Sequence, residues 1–106
     1  KPFAEWIEKS DTVYADLMDR IGRSMQVVYS YIHAAKYSEA LKSIEKLIEN
    51  YPRAAIFYDI KGSIHLLRNE KDKAIVSYQK SLLLRPESLE TKQVLEKLKS
   101  GKDLSR

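Results

Sequence analysis

The segment YSEALKSIEKLIENYP, residues 37–52, decides the fold of this chain. Its apolar side chains recur at steps of three, one, three, three, one and three, the pattern of an α-helix with one buried face. The stripe consists of Tyr37, Ala40, Leu41, Ile44, Leu47, Ile48 and Tyr51. Ser38 is the predicted N-cap, and Pro52 ends the helix because the residue before a proline avoids helical dihedral angles. The segment therefore predicts an amphipathic helix between Ser38 and Pro52.

The same pattern returns later in the chain, in the segment KDKAIVSYQKSLLLRP, residues 71–86. Pro52 and Pro86 are 34 residues apart, and this separation is called the repeat interval below. Shifting the chain by the repeat interval also superposes Ala40 on Ala74, Ser43 on Ser77, and Lys46 on Lys80. Asp72 is the predicted N-cap of the second helix. An apolar-faced segment precedes each of the two helices, roughly at residues 21–35 and 55–67. The sequence therefore predicts an all-α fold built from a repeated helix hairpin.

The two ends of the chain carry further helical patterns. The N-terminal stripe consists of Phe3, Trp6, Ile7, Val13, Tyr14, Leu17, Met18 and Ile21. It contains no proline turn before the first hairpin, so residues from about Asp11 to Ala35 are expected to form one long helix. At the other end, Ser88 is the predicted N-cap of a last helix, and Gly101 offers a stop.

The composition limits the number of domains and the possible partners. A length of 106 residues, with 43% apolar and 32% charged residues, is typical of one soluble globular domain. The net charge of +4 comes from interleaved basic and acidic residues, which disfavours a nucleic-acid partner. The longest uncharged run, residues 24–35, is too short to cross a membrane. The cellular compartment stays open.

The residue types also disfavour an enzyme. The chain has no cysteine, and its two histidines, His33 and His65, have no metal-ligand spacing, so neither a metal site nor a cofactor is expected. No nucleophile elbow or glycine-rich phosphate loop is present. His65 falls on an apolar helix face, which predicts a packed, hydrogen-bonded histidine rather than a catalytic one.

The repeat resembles the tetratricopeptide repeat family. The second unit matches the family positions best, with Tyr58, Gly62, Ala74, Tyr78, Ser81 and Pro86, while His65 stands in place of the family's tyrosine. The first unit is degenerate, because Ser24 stands at the aromatic position and Val28 at the glycine position. The resemblance implies a helix-hairpin solenoid with an N-terminal helical extension (residues 1–20), two repeats (21–54 and 55–88), and a capping helix with a tail (89–106).

In that family the inner faces of the first helices line a concave groove, and the resemblance implies the same surface here. A projection at about 100° per residue places eight residues on it: Met25, Tyr29, Ile32, Ile56, Asp59, Ile60, Ser63 and Leu67. Because most of them are apolar, the expected function is a protein-interaction scaffold that binds an apolar helix or peptide. The alternative is a structural or self-associating domain whose groove is filled by its own chain or by a second copy, as in a homodimer.

One subtype of the family grips acidic C-terminal peptides with basic and amide side chains in the groove. The corresponding positions here are Met25, Tyr29, Ile60, Glu90 and Val94. None of these side chains is basic or an amide, and Glu90 would repel a carboxylate. The resemblance therefore does not extend to a carboxylate-binding site.

Overall fold

The computed structural model describes the backbone of residues 2–101 and the side chains of residues 16–101. Five helices make up this part of the chain, and it contains no strand. They are α1 (Pro2–His33), α2 (Tyr37–Asn50), α3 (Ala55–Leu67), α4 (Lys71–Leu84) and α5 (Leu89–Lys99). The all-α prediction is confirmed. The predicted tail at residues 102–106 and the side chains of the first part of the N-terminal stripe lie outside the described residues.

The helix boundaries recur at the repeat interval. Helices α2 and α4 each contain 14 residues, and their first residues are separated by this interval. The same separation holds between the first residues of α3 and α5 and between the last residues of α1 and α3. Ala35 and Asn69, again one repeat interval apart, both have left-handed backbone conformations, with φ of 58° and 63°.

These two left-handed residues build the turns after α1 and α3. The amide of Ala35 donates to the carbonyl of Ile32 at 3.0 Å, and the amide of Lys36 donates to that of Tyr31 at 2.8 Å. This pair of bonds is a Schellman motif, which satisfies the last carbonyls of the helix. Asn69 and Glu70 make the same two bonds, to Leu66 at 3.0 Å and to His65 at 2.8 Å.

The turns correct the predicted start of the second helices. Lys36 and Glu70 are the N-cap residues of α2 and α4, so Ser38 and Asp72 lie inside the first turn. The predictions of Ser38 and Asp72 as N-caps are wrong. The turns after α1 and α3 each take only three residues. Helices α2 and α4 therefore begin earlier in the sequence than Ser38 and Asp72.

The core consists of two clusters of buried side chains. The first joins α1, α2 and α3 through Val28, Ala40, Leu41, Ile44, Leu47, Phe57, Ile60 and Ile64. The second joins α4 and α5 through Ala74, Tyr78, Leu95 and Leu98. The predicted stripe of α2 is confirmed, since Ala40, Leu41, Ile44 and Leu47 are its buried residues.

Helix α5 is the last helix of the described residues, and it carries the start and stop signals that the sequence predicts. The Ser88 hydroxyl accepts a hydrogen bond from the Thr91 amide at 3.4 Å, and Gly101 has a positive φ of 77° after the last turn. Thr91, Leu95 and Leu98 are buried, whereas Lys92, Glu96 and Lys99 are exposed. The helix therefore covers its neighbour with one face and presents charges to solvent with the other.

Helix α1 is longer than the helix it packs against. The predicted long helix at residues 11–35 is confirmed and begins earlier, at Pro2, although it ends at His33. Its 32 residues span about 48 Å at 1.5 Å per residue, whereas the 14 residues of α2 span about 21 Å. The molecule is accordingly elongated, with principal extents of 60 × 31 × 23 Å.

Candidate functional site: the exposed faces of α1 and α3

Helices α1 and α3 each present an exposed face, and the eight predicted site residues divide between them. Tyr29 on α1 and Ile56 and Leu67 on α3 are exposed, with 45%, 52% and 52% of their surface accessible. Met25 and Ile32 are half-buried, because they also pack against the first core cluster. These five apolar residues are called the α1–α3 face below.

The predicted exposure of Ile60 is wrong. This side chain keeps only 7% of its surface accessible and belongs to the first core cluster. The cause is the position of α3, which packs against both α2 and α4 and therefore buries a wide arc of its surface. Ile60 lies only about 40° around the helix from Ile56, just inside the buried arc.

Asp59 and Ser63 lie on the same side of α3 and are already hydrogen-bonded within the chain. A carboxylate oxygen of Asp59 accepts a hydrogen bond from the Thr91 hydroxyl of α5 at 3.1 Å. The Ser63 hydroxyl donates to the Asp59 carbonyl at 3.1 Å and lies 2.8 Å from the Tyr78 hydroxyl. These bonds connect α3 to α4 and α5, so they fix the position of the face rather than offer free donors to a ligand.

Tyr78 lies beneath this network, on α4. Burial raises the pKa of its hydroxyl, the hydrogen bond with Ser63 opposes that shift, and the charge of Asp59 adds to it. The hydroxyl therefore stays neutral at physiological pH and acts as a hydrogen-bonding group. Sequence reasoning placed Tyr78 in the interior but missed its link to Ser63 and the link from Thr91 to Asp59.

His65 and Glu70 form a charged cluster at the turn between α3 and α4. His65 is buried, and its Nδ1 lies 3.0 Å from a carboxylate oxygen of Glu70, as predicted for a packed, hydrogen-bonded histidine. Arg68 and Lys73 approach the same carboxylate at 3.1 and 3.6 Å. The hydrogen bond from His65 is the main cause that lowers the pKa of Glu70, and the charges of Arg68 and Lys73 add to it. The cluster links the two ends of the turn.

A concavity that the sequence reasoning did not identify lies between α1 and α2. This cleft has a volume of about 360 Å³ and is lined by Ser24, Val27, Ser43, Lys46, Leu47 and Asn50. The position one repeat interval after Ser24 carries Tyr58, so a small side chain replaces a large ring at this edge of the first helix pair. Ser24, a small residue where an aromatic one is expected, is the sequence signal that could have indicated this cleft.

The described residues contain neither a membrane-spanning helix nor a metal-binding cluster. Within residues 2–101, no helix combines the length and the apolar character needed to cross a bilayer. No three histidine, aspartate or glutamate side chains of the described region lie close enough together to hold a metal ion.

Comparisons with known proteins add no family or relative. No protein-family model matches the chain, and the search of curated proteins finds no significant match.

Proposed function

We propose that the chain is a tetratricopeptide-like interaction module that binds an apolar helix or peptide of another protein on its α1–α3 face. The assignment to this family is supported by the constant repeat interval between equivalent helix ends and left-handed turns. It is also supported by the matching burial of Ala40 and Ala74, both of which have no accessible surface. Alanine at such positions allows two helices to approach closely.

The observation that carries the proposed function is the exposure of three large apolar side chains on helices α1 and α3. Tyr29, Ile56 and Leu67 each leave about half of their surface accessible. On α3 the exposed residues keep one face, since Ser63 and Leu67 follow Ile56 at steps of two and three helical turns. Exposed apolar residues on both of these helices favour a binding partner over solvent.

The rigidity of this face also supports a binding role. Met25 and Ile32 pack against the first core cluster, and Asp59 and Ser63 are fixed by hydrogen bonds to neighbouring helices. A preformed surface loses little conformational entropy on binding, which favours affinity. The partner that suits it is an amphipathic helix or extended segment with apolar anchors, because the polar groups on this side are already satisfied.

The experiment is the selection of binders from a library of amphipathic helical peptides displayed on phage, followed by titration calorimetry. Tyr29→Ala and Leu67→Asp are each expected to weaken binding of the selected peptide by at least about 2 kcal/mol, roughly 30-fold in Kd. Their free energies of unfolding should change little, because both side chains are exposed. Lys42→Glu on the exposed side of α2 is the control and should change the binding energy by less than about 1 kcal/mol.

Ile60 is not a useful position for this test. Its burial means that Ile60→Asp would place a charge in the core and unfold the protein, so loss of binding would carry no information. The proposal is refuted if peptides bind with an affinity that Tyr29→Ala and Leu67→Asp leave unchanged while Lys42→Glu abolishes it. That result would move the site to the surface of α2.

A further inference from the structure

The outward side of α4 is apolar where the equivalent side of α2 is charged. Val76 and Leu83 leave 65% and 77% of their surface accessible. They are two helical turns apart and therefore share one face of the helix. The equivalent positions of α2, one repeat interval earlier, carry Lys42 and Glu49. The exposed residues Val76, Gln79 and Leu83 are called the α4 outer face below.

Helix α4 buries some polar residues and exposes some apolar ones, the reverse of an ordinary amphipathic helix. Its buried side includes the hydroxyl residues Ser77 and Ser81, which retain 5% and 1% of their surface. Its partly buried residues Ile75 and Leu82 pack against the second core cluster. The apolar residues of α4 therefore extend from the core to the outer face, with the exposed Gln79 between Ile75 and Leu83.

Basic side chains border this surface. Helix α4 carries three lysines and one acid, Asp72, which gives the helix a net charge of +2. Lys73 and Lys80 are both exposed; Lys73 also lies 3.6 Å from the Glu70 carboxylate, and the exposed Asp72 lies one turn before Val76 on the same face. An acidic amphipathic helix is the partner that matches an apolar strip with a basic margin.

The N-terminal part of α1 has this chemistry. Residues 2–20 are called the arm below, because α1 extends about 27 Å beyond the length that α2 covers. Among the described helices, only α2 packs extensively on α1. Residues 1–20 contain five acids and three basic residues, a net charge of −2, whereas residues 21–101 have a net charge of +5. In sequence, the arm carries an apolar stripe at helical spacing from Phe3 to Leu17.

We propose that the arm of one copy of this chain packs along the α4 outer face of a second copy. The lengths agree, since the arm spans about 27 Å and α4 about 21 Å. The opposite net charges favour this pairing, and the like charges of two arms disfavour pairing between arms. Reciprocal exchange of arms about a twofold axis doubles the contact, which helps to reach the roughly 1,200–2,000 Å² that a stable interface needs. This interface leaves the α1–α3 face free.

Sedimentation equilibrium of the full chain tests the α4 side of the interface. The wild type should form dimers as its concentration rises, and the double variant Val76→Glu with Leu83→Glu should raise the dimer dissociation constant at least tenfold, because it removes the apolar contact and repels the acidic arm. Both side chains are exposed, so the variant is expected to fold. The charge-matched control, Ser38→Glu with Asn50→Glu on exposed positions of α2, should stay within about twofold of the wild type.

Disulfide cross-linking identifies the two helices that meet. The chain has no cysteine, so Ser10→Cys in the arm and Gln79→Cys on the α4 outer face introduce single thiols. Ser10 lies at a central register position of the arm's stripe. Mixing the two variants under oxidising conditions should give mainly the mixed dimer, and adding Val76→Glu and Leu83→Glu to the Gln79→Cys chain should suppress it.

Two results would overturn the proposal. One is a wild-type chain that remains monomeric up to about 1 mM in sedimentation. The other is cross-linking confined to pairs of Ser10→Cys chains, which would mean that arms pair with arms. Peptide binding at Tyr29, measured on the double glutamate variant, tests the α1–α3 face separately, so failure of one proposal leaves the other intact.

Discussion

Gly62→Ala is expected to destabilise the protein because α3 and α4 touch at this glycine. A Cβ atom at position 62 would lie 2.8, 2.9 and 3.0 Å from three ring carbons of Tyr78. Contacts below 3.0 Å force a neighbour to move. The ring cannot move freely, because Tyr78 retains only 5% accessible surface and its hydroxyl is 2.8 Å from that of Ser63.

The magnitude follows from two opposing effects. Overpacking a core contact costs about 1–3 kcal/mol. Replacing glycine by alanine inside a helix contributes about 0.8–1 kcal/mol in the opposite direction, because alanine loses less backbone entropy on folding. The net expectation is a loss of about 0–2 kcal/mol in the free energy of unfolding.

Urea denaturation followed by circular dichroism measures this change, and Gly22→Ala is the matched control. Gly22 lies inside α1, and no atom lies within 4 Å of the position its Cβ would take. Gly22→Ala should therefore stabilise the protein by about 0.5–1 kcal/mol. If Gly62→Ala stabilised the protein as much as Gly22→Ala does, the close packing of α3 on Tyr78 would be refuted.

The first helix pair suggests how the contact could be repaired. Its positions equivalent to Gly62 and Tyr78 carry Val28 and Ile44, both fully buried in the first core cluster. A larger residue on the first helix thus accompanies a smaller one on the second. The double variant Gly62→Val with Tyr78→Ile should be less destabilised than the sum of its two single variants, which is the signature of residues in contact.

Three further changes test the turn, the core and the charged cluster. Ala35→Gly should stabilise the protein by about 1 kcal/mol in urea denaturation, because Ala35 has a positive φ of 58° that glycine adopts without strain. Ser81→Ala should raise the melting temperature, with a gain of about 1 kcal/mol, since the buried Ser81 hydroxyl has no hydrogen-bond partner among the described residues. The pKa of Glu70 is lowered from 4.5 in the folded chain. The ionised carboxylate therefore stabilises the fold at pH values above 4.5, and this stabilisation is lost as the pH falls through the pKa that Glu70 has in the folded chain. Glu70→Gln should therefore flatten the acid part of the profile of unfolding free energy against pH; an unchanged profile would contradict the hydrogen bond from His65.

The parts of the fold that depend on local chemistry could be predicted from the sequence. Helices α2 and α4 end before Pro52 and Pro86, because the residue before a proline avoids helical angles. Ser88 caps α5 and Gly101 follows its last turn, as their residue types predict. Each of these signals acts over three or four residues and needs no information about the neighbouring helices.

The turns after α1 and α3 could not be located in the same way. Both are Schellman motifs, but their left-handed residues are Ala35 and Asn69 rather than glycine. Alanine rarely adopts this conformation, so it does not mark a turn in a sequence. The packing of α1 on α2 and of α3 on α4 compensates for the local cost, which is a tertiary effect.

The candidate site was predicted only in part, because a helical projection shows angles but not neighbours. Tyr29, Ile56 and Leu67 are exposed as the projection suggests. Ile60 is buried because α3 packs against two helices at once, which widens its buried arc. The bond from Thr91 to Asp59 joins residues 32 positions apart, and its existence depends on the way α4 places α5 beside α3.

The sides of α1 and α5 that face away from the other helices are polar. The side of α3 that faces the first helix pair buries Phe57, Ile60 and Ile64, whereas the equivalent positions of α1 expose Arg23, Gln26 and Ser30. On α5, the positions equivalent to Tyr58, Gly62 and His65 expose Lys92, Glu96 and Lys99. These two sides therefore differ in polarity from the side of α3 that is buried between the helix pairs. The exposure of Tyr29, Leu67, Val76 and Leu83 favours contacts with another protein surface.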